Sequence, residues 1–324
     1  MKKTLKILFV MLFALCTLIP SVYADFNDSD VVMTVNGNYY TSFQSGWAKA
    51  FSLAGTGDEA YVKLMADWIP YDGKFYVEDY RGYETGTKDG TLYIDLDGIT
   101  LDLNGHIIDR NLASGKKGRV ILVEGATLTI TDTSADKNGK ITGGYLTGGN
   151  RGAGVSVNNG NLILNGGSIY GNSAESGAGV YIKNSTFTVN GGSVSENYAS
   201  KNVAGVYLDG AGAELIMNGG EISHNISKYI VDYYCGGVYA KSGSIITLNG
   251  GSINNNEGDN GGGVYLMRNI LSELDNDVKA IYEGKKSGIT TGIPQIELNG
   301  GTISNNKAKF NGGGTYQEAE TQFV

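Results

Sequence analysis

The residues best suited to chemistry in this chain are three aspartates within "YIDLDGITLDL". Asp95, Asp97 and Asp102 lie close together there, and His106 and Arg110 follow them. Carboxylate oxygens gathered on one face of a protein bind Ca²⁺, and two carboxylates that face each other across a sugar cleave glycosidic bonds. We therefore treat Asp95, Asp97 and Asp102 as a candidate calcium site, and we expect no other cofactor.

The spacing of these aspartates is typical of residues on the outer face of strands. Successive side chains of a strand face opposite sides of the sheet, so the leucines between the aspartates point inward and the three carboxylates point outward. The alternative is that the carboxylates are solvated and discourage edge-to-edge pairing. Between residues 150 and 270 the only aspartates are Asp209, Asp232 and Asp259, which occupy different repeat positions. We therefore assign no catalytic residue.

A second candidate site is aromatic and recurs with the motif Gly-Val-Tyr. Its valine is expected to face inward, so that its tyrosine is exposed on the outer face of successive strands. A row of exposed tyrosines could stack on sugar rings or on a protein partner. The alternative is a ladder in which the rings stabilise one another along a sheet. The residues concerned are Tyr181, Tyr207, Tyr239, Tyr265 and Tyr316.

Asparagine recurs at two fixed positions, which predicts two stacked columns of side-chain amides. The first column comprises Asn165, Asn190, Asn218, Asn249 and Asn299. The second comprises Asn172, Asn197, Asn225, Asn256 and Asn306. Amides stacked in this way hydrogen-bond along the column and serve the turn backbone. We interpret both columns as structural, and a ligand-binding row of amides is the alternative.

These positions belong to an internal repeat that predicts the fold. Its copies include "LILNGGSIYGN" (162–172), "FTVNGGSVSEN" (187–197), "LIMNGGEISHN" (215–225), "ITLNGGSINNN" (246–256) and "IELNGGTISNN" (296–306). Apolar residues alternate within each short segment, as in strands, and glycine and asparagine supply the turns between segments. Strands this short need equivalent strands from neighbouring repeats to bury their apolar side. The sequence therefore predicts an all-β parallel β-helix, and "LDLNGHIIDRN" (101–111) is interpreted as an earlier copy in the same frame.

The chain divides into a leader, a cap and the repeats. Residues 1–24 have the basic head, short apolar run and small final residue of a secretory signal peptide. Residues 25–90 are predicted to form an N-terminal cap, with a helix over about 42–54 and a strand over about 60–69. Residues 91–324 are assigned to the repeats, with an insertion at about 267–295 that contains a helical pattern over 270–286. No closing cap is recognised at the C-terminal end.

Composition narrows the classes of partner. The formal net charge of the 324 residues is −8, and loss of the lysine-bearing leader makes the mature chain still more acidic. An acidic chain without a basic stripe is a poor nucleic-acid binder, and no transmembrane span is expected after signal cleavage. Cys235 would then be the sole cysteine, which we interpret as a small buried residue.

The segment "ITLDLNGHIID" (99–109), followed by repeated "LNGGxIxxN" and "GGGVY" units, resembles right-handed parallel β-helix repeat proteins secreted by bacteria, including adhesin-like surface proteins. The repeats are also similar, more loosely, to those of polymorphic outer-membrane proteins. The resemblance implies a pectate-lyase-like fold with an N-terminal capping helix and an extracellular or cell-surface location. It implies no shared catalytic residues.

These observations favour a non-enzymatic, adhesin-like module that binds a surface glycan or protein through its outer face. One alternative is a polysaccharide lyase or glycoside hydrolase of the same fold. The other is a structural stalk or a fragment of a longer surface protein.

Overall fold

The computed structural model describes residues 30–75, 87–88, 90–112, 116–228, 235–241, 243–267, 294–317 and 322–323. The described residues from Val32 onward form one compact unit, and of the preceding residues only Asp30 and Val31 are described. The predicted signal peptide lies outside the described residues. So does the helix predicted over 270–286, together with most of the predicted insertion.

The first elements of the compact unit are a β-hairpin and the α-helix α1 (Phe43–Gly55). Ser42 caps the helix by accepting a hydrogen bond from the Ser45 N–H at 3.1 Å. Trp47 and Phe51 are fully buried on the inner side of α1. The capping helix predicted from the sequence is thereby confirmed. The strand predicted over about 60–69 is shorter, since it ends at Leu64.

Four sheets, named A to D, run along the molecule. Within the described residues, sheet A contains, from one edge to the other, β2 (Asn38–Tyr40), β1 (Met33–Val35), β3 (Ala60–Leu64), β6 (Ile99–Asp102), β9 (Thr127–Thr131), β12 (Asn161–Leu164), β16 (Thr186–Val189), β20 (Glu214–Met217), β24 (Ile245–Leu248), β28 (Gln295–Leu298) and β32 (Gln322–Phe323). Sheet B contains β7 (Ile107–Asp109), β10 (Lys140–Thr142), β13 (Ser168–Tyr170), β17 (Ser193–Ser195), β21 (Glu221–Ser223), β25 (Ser252–Asn254) and β29 (Thr302–Ser304).

Sheets C and D complete each coil. Sheet C contains β4 (Thr87–Lys88), β5 (Thr91–Ile94), β8 (Ile121–Glu124), β11 (Val155–Asn158), β15 (Val180–Lys183), β19 (Val206–Asp209), β23 (Val238–Lys241), β27 (Val264–Met267) and β31 (Thr315–Gln317). Sheet D contains β14 (Ser173–Ala174), β18 (Tyr198–Ala199), β22 (Ile226–Ser227), β26 (Glu257–Asn260) and β30 (Lys307–Asn311).

A complete coil visits the sheets in the order C, A, B and D. Strands β11, β12, β13 and β14 form one such coil, and β15 begins the next coil as the parallel neighbour of β11. Val155 is opposite Val180, and Asn158 is opposite Lys183. Among the described strands, antiparallel pairing is confined to β1 with β2 and β3, and to β4 with β5. The chain is therefore a parallel β-helix, as the repeats predicted.

The interior of the β-helix is an apolar column built from the inward side chains of sheets A, B and C. Leu162 on β12 is opposite Phe187 on β16, and both side chains are fully buried. Ile169 on β13 is opposite Val194 on β17 and is equally buried. Each large apolar side chain buried in this way contributes about 1.5–3 kcal/mol. Stacking thus supplies the stability that strands of three to five residues lack.

The turn from sheet B to sheet D requires a left-handed backbone residue immediately before the second asparagine position. Glu196 has φ 57° and His224 has φ 55° at this point, a conformation that is unfavourable for residues other than glycine. The following asparagine hydrogen-bonds to the neighbouring coil, which offsets this cost. The strain is therefore a recurring feature of the coil and not a local anomaly.

The earliest copy of the repeat departs in sheet A from the frame that its sequence suggests. Ile130 is opposite both Leu164 and Leu101, so Leu101 and not Leu103 corresponds to Leu164. The residue that corresponds to Asn165 is consequently Asp102, whereas Asn104 lies further along, in a wider turn at φ 47°. The prediction that "LDLNGHIIDRN" keeps the later frame is therefore wrong by two residues in sheet A. It is confirmed in sheet B, where Ile108 and Ile169 are both opposite Ile141.

Candidate functional site

The five predicted tyrosines form one continuous stack along the outer side of sheet C. Ring centroids are 5.6 Å apart for Tyr181 and Tyr207, 4.9 Å for Tyr207 and Tyr239, 5.3 Å for Tyr239 and Tyr265, and 5.0 Å for Tyr265 and Tyr316. The first three pairs are nearly parallel, with interplanar angles of 26°, 11° and 16°. Parallel pairing of equivalent strands brings the rings to this spacing.

The prediction that these tyrosines are exposed is wrong. Tyr265 retains 1% of its accessible surface and Tyr207 retains 2%. Tyr181 and Tyr239 are also buried, and only Tyr316 is partly accessible. A column hidden in this way offers no open aromatic surface to a sugar ring.

The segments that connect sheet D to sheet C cover the tyrosines. Val203 and Cys235 lie in two of these segments, are opposite each other in a parallel bridge, and belong to the same buried cluster as the rings. A Cβ added at Gly177 would lie 3.1 Å from Tyr207 Cβ, which shows how closely the connecting backbone passes over the rings. Burial raises the pKa of the Cys235 thiol, as expected for an inert residue of the packed cluster.

A charged group occupies the end of the tyrosine stack nearest the N-terminus. Ser156 stands in the tyrosine column directly beside Tyr181 and leaves room above the rings. The Arg151 guanidinium lies 4.6 Å from the Tyr207 ring centroid and 5.5 Å from that of Tyr181. Arg151 Nη1 also donates a hydrogen bond to Asp209 Oδ2 at 2.9 Å. The stack therefore ends in a cation–π contact and an ion pair.

The second asparagine column is continuous, and it is buried from Asn172 to Asn256, whereas Asn306 is partly exposed. The Oδ1 atom of Asn225 accepts hydrogen bonds from the N–H and the Nδ2 of Asn197, at 3.1 and 2.9 Å. Its Nδ2 donates to Val194 O at 2.9 Å and to Asn256 Oδ1 at 3.0 Å. The same pattern joins Asn172 to Asn197 and Asn256 to Asn306. These side chains satisfy the backbone of turns that water does not reach.

The glycine before each Val-Tyr pair makes room for this column. A Cβ added at Gly205 would lie 3.1 Å from Asn225 Nδ2, and one at Gly237 would lie 3.1 Å from Asn256 Nδ2. The glycine and asparagine positions of the repeat are thus two parts of one packed corner.

The first asparagine column is exposed. Asn190 Nδ2 donates to Asn165 Oδ1 at 2.8 Å, and Asn218 Nδ2 donates to Asn190 Oδ1 at 2.9 Å. Asn249 and Asn299 continue the chain of amides at 2.9 Å each. Each amide in the column is therefore bonded to its neighbours, which leaves less of it for a ligand.

The structure does not assemble the predicted calcium site. Asp102 is fully buried, and its carboxylate accepts hydrogen bonds from the Tyr61 and Thr133 hydroxyls at 2.7 and 2.6 Å. The N–H groups of Thr133 and Asn104 donate to its other oxygen, at 2.9 and 3.0 Å. The expectation of a solvated outward carboxylate is therefore wrong for Asp102, because residues of the adjoining strands and turns cover that face.

The other two aspartates have separate surroundings. Asp97 is exposed and accepts a hydrogen bond from the Thr127 N–H at 2.7 Å, whereas one oxygen of Asp95 is buried without a hydrogen-bond partner. Within the described part of the chain, no group of three or more His, Cys, Asp or Glu side chains is arranged to hold a metal ion.

Hydrogen bonds set the pKa of Asp102. Burial alone would raise it, but the bonds from the side chain and N–H of Thr133, the Tyr61 hydroxyl and the Asn104 N–H outweigh burial and lower the pKa. Burial, together with the Asp102 carboxylate, raises the pKa of Tyr61 to about 12. The Asp102 carboxylate is therefore ionised while the Tyr61 phenol is neutral, and we interpret their hydrogen bond as structural.

Sheet D carries a charged groove of about 470 Å³ that the repeat pattern does not predict. We call it the sheet D groove, and the side chains that define it are Ser227, Lys228, Glu257, Asp259, Lys307 and Lys309. Lys307 Nζ lies 3.7 Å from Glu257 Oε1, with the two side chains 75% and 40% exposed, so their attraction is weak. Periodicity could not reveal these residues because they differ from coil to coil.

Comparison with known proteins yields no family model, no curated protein and no solved structure that matches this chain. In the part of the chain that the structure describes, no helix combines the length and the apolar character needed to cross a membrane.

Proposed function

We propose that this chain is a secreted or cell-surface β-helix module, adhesin-like and non-enzymatic, that binds a glycan or protein partner through its outer surface. The observation that supports this proposal is that the recurring polar and aromatic side chains contact one another between coils. The tyrosines stack on one another, and the asparagines bond to their counterparts in the next coil. The repeated residues thus build a long scaffold, and recognition falls to the charged side chains that vary between coils.

Export of the chain is part of the same proposal. Residues 1–24 have the organisation of a signal peptide. The fold is compatible with an extracellular location without disulfide bonds, because hydrogen-bonded columns and an apolar interior join each coil to the next.

The test uses the chain from Asp25 to Val324. The purified protein is applied to immobilised glycans and to intact cells, and retention is measured beside release of reducing or unsaturated sugar ends, with Ca²⁺ and with a chelator. We expect retention without cleavage. Thermally unfolded protein is the control, since binding by the folded outer surface is lost when the coils separate.

Two results would contradict the proposal in different ways. Cleavage of a polysaccharide would support the lyase or hydrolase alternative. Absence of retention on every glycan and cell surface would support the structural stalk.

A further inference from the structure

The side chains that line the sheet D groove carry a net positive charge, whereas the chain as a whole is acidic. The chain has a formal net charge of −8, yet the groove is lined by three lysines and only two carboxylates. Among the described residues neither Lys228 nor Lys309 has an acidic side chain within ion-pair distance. The Lys309 ammonium lies 4.8 Å from the Phe310 ring centroid. A cleft of this kind attracts anions to a surface that otherwise repels them.

A buried carboxylate lies at the same groove. Asp259 is 8% exposed, and its Oδ2 is buried with no hydrogen-bond partner. Asp259 sits where the pairing of β26 with β30 shifts register, between the pairs Gly258–Ala308 and Asn260–Asn311. An oxygen that is buried without a donor is unfavourable, so a bound group that donates a hydrogen bond would be stabilised there.

We propose that the sheet D groove binds an acidic glycan. The acid groups of the sugar chain pair with Lys228 and Lys309, and a sugar hydroxyl donates to the Asp259 carboxylate. This inference rests on the proposed function, in that it names the partner of a module that binds through its outer surface.

The two kinds of group in the groove select a sugar over other anions. An inorganic anion such as sulfate would satisfy the lysines but has no proton to donate to Asp259. A neutral sugar would satisfy Asp259 but leave the lysines without a counter-charge. A sugar unit that carries a carboxylate or a sulfate ester offers both within one ring, and 470 Å³ is within the range of ligand sites, about 300–1,000 Å³.

Binding is measured with dextran, carboxymethyl-dextran and dextran sulfate, which share one backbone and differ in the acid group. We expect the intact chain to bind one or both charged polymers and not dextran, with binding that weakens as salt is added. Comparing carboxymethyl-dextran with dextran sulfate shows whether the groove binds a carboxylate or a sulfate ester. Poly-L-glutamate is the comparison for an acidic peptide, and equal binding of that polymer would overturn the choice of a glycan.

Three variants locate the site. The double variant Lys228→Ala/Lys309→Ala should weaken binding by about tenfold or more, since two charges are removed from one groove. The matched control Lys117→Ala/Lys183→Ala removes two exposed lysines elsewhere and should change binding by no more than about twofold. Equal losses in both double variants would mean that net charge alone is responsible, and the groove would be excluded.

The direction in which Asp259→Asn changes binding of the acidic glycan tests the role of this carboxylate. If the carboxylate accepts a hydroxyl, its replacement weakens binding of the acidic glycan. If the carboxylate only repels the ligand, its replacement strengthens binding, and the role assigned to Asp259 is overturned. Unchanged thermal unfolding of each variant shows that the coils are intact.

The two proposals fail separately. If the chain is retained on cells or neutral glycans but ignores both charged dextrans, the groove inference is overturned and the binding module stands. If the chain binds nothing, both are overturned.

Discussion

The Tyr181 hydroxyl donates a hydrogen bond to Asp209 Oδ2 at 2.9 Å, across two neighbouring coils. The same oxygen accepts from Arg151 Nη1, also at 2.9 Å, and the Arg151 and Asp209 side chains are only 31% and 21% exposed. One carboxylate therefore connects three successive coils at the end of the tyrosine stack, where Ser156 interrupts the column of rings.

Replacing Asp209 with Asn should destabilise the protein. The substitution leaves the partly buried Arg151 guanidinium without its counter-charge, so the free energy of unfolding should fall by about 1–3 kcal/mol. Urea unfolding of the variant and the parent protein measures the change. In an Arg151→Met background the same substitution should cost less, because the ion pair is already absent. Equal costs in the two backgrounds would contradict the coupling.

Alkaline pH should unfold the protein in the range where buried tyrosines ionise. Burial, followed by the Asp209 charge, raises the pKa of Tyr181 to about 12, and burial also raises the pKa of Tyr207. Because the folded state holds the neutral phenol, this stability is complete below about pH 10, the pKa of an unfolded tyrosine. It is lost as pH rises toward 12. When stability is measured against pH, its decline at alkaline pH should be less steep in Tyr181→Phe than in the parent protein. An unchanged decline would contradict the contribution assigned to Tyr181.

The two asparagine columns should differ in their effect on stability. Asn225→Ala removes four hydrogen bonds from a buried turn, so we expect a loss of about 3–5 kcal/mol. Asn218→Ala removes amide contacts from an exposed column and should cost about 0.5–1 kcal/mol. Chemical unfolding of both variants provides the comparison. Similar losses would show that burial is not what separates the columns.

Asp102 should support stability at neutral pH and lose this effect in acid. Hydrogen bonds lower its pKa in the folded state, so its contribution is present above about pH 4, the unfolded value. It disappears as pH falls through the lower folded pKa. Asp102→Asn should lower the free energy of unfolding at pH 7. It should also make the loss of stability with falling pH less steep than in the parent protein.

The thermal midpoint should not respond to Ca²⁺ or a chelator through Asp102, because protein donors already occupy both oxygens. A rise with Ca²⁺ that Asp102→Asn abolishes would contradict this interpretation.

The repeat pattern was sufficient to predict the parallel β-helix and the stacking of equivalent residues. Alternation in "LILN" places Leu162 and Leu164 in the interior, and one residue position in each coil necessarily stands beside the same position in the next. Asn197 and Asn225 are neighbours for that reason. Periodicity is local information that every coil repeats, so a single sequence contains it several times.

Only the tertiary structure decided which outward side chains remain accessible. Alternation assigns Tyr207 and Asp102 to the outer faces of their strands, but it does not say what lies above those faces. The connecting segments that contain Val203 and Cys235 cover the tyrosines, and Thr133 covers Asp102. The sheet D groove likewise joins Lys228, Asp259 and Lys309 from three coils. Burial of an outer face depends on the paths of segments that differ in length and composition, and no periodic signal encodes those paths.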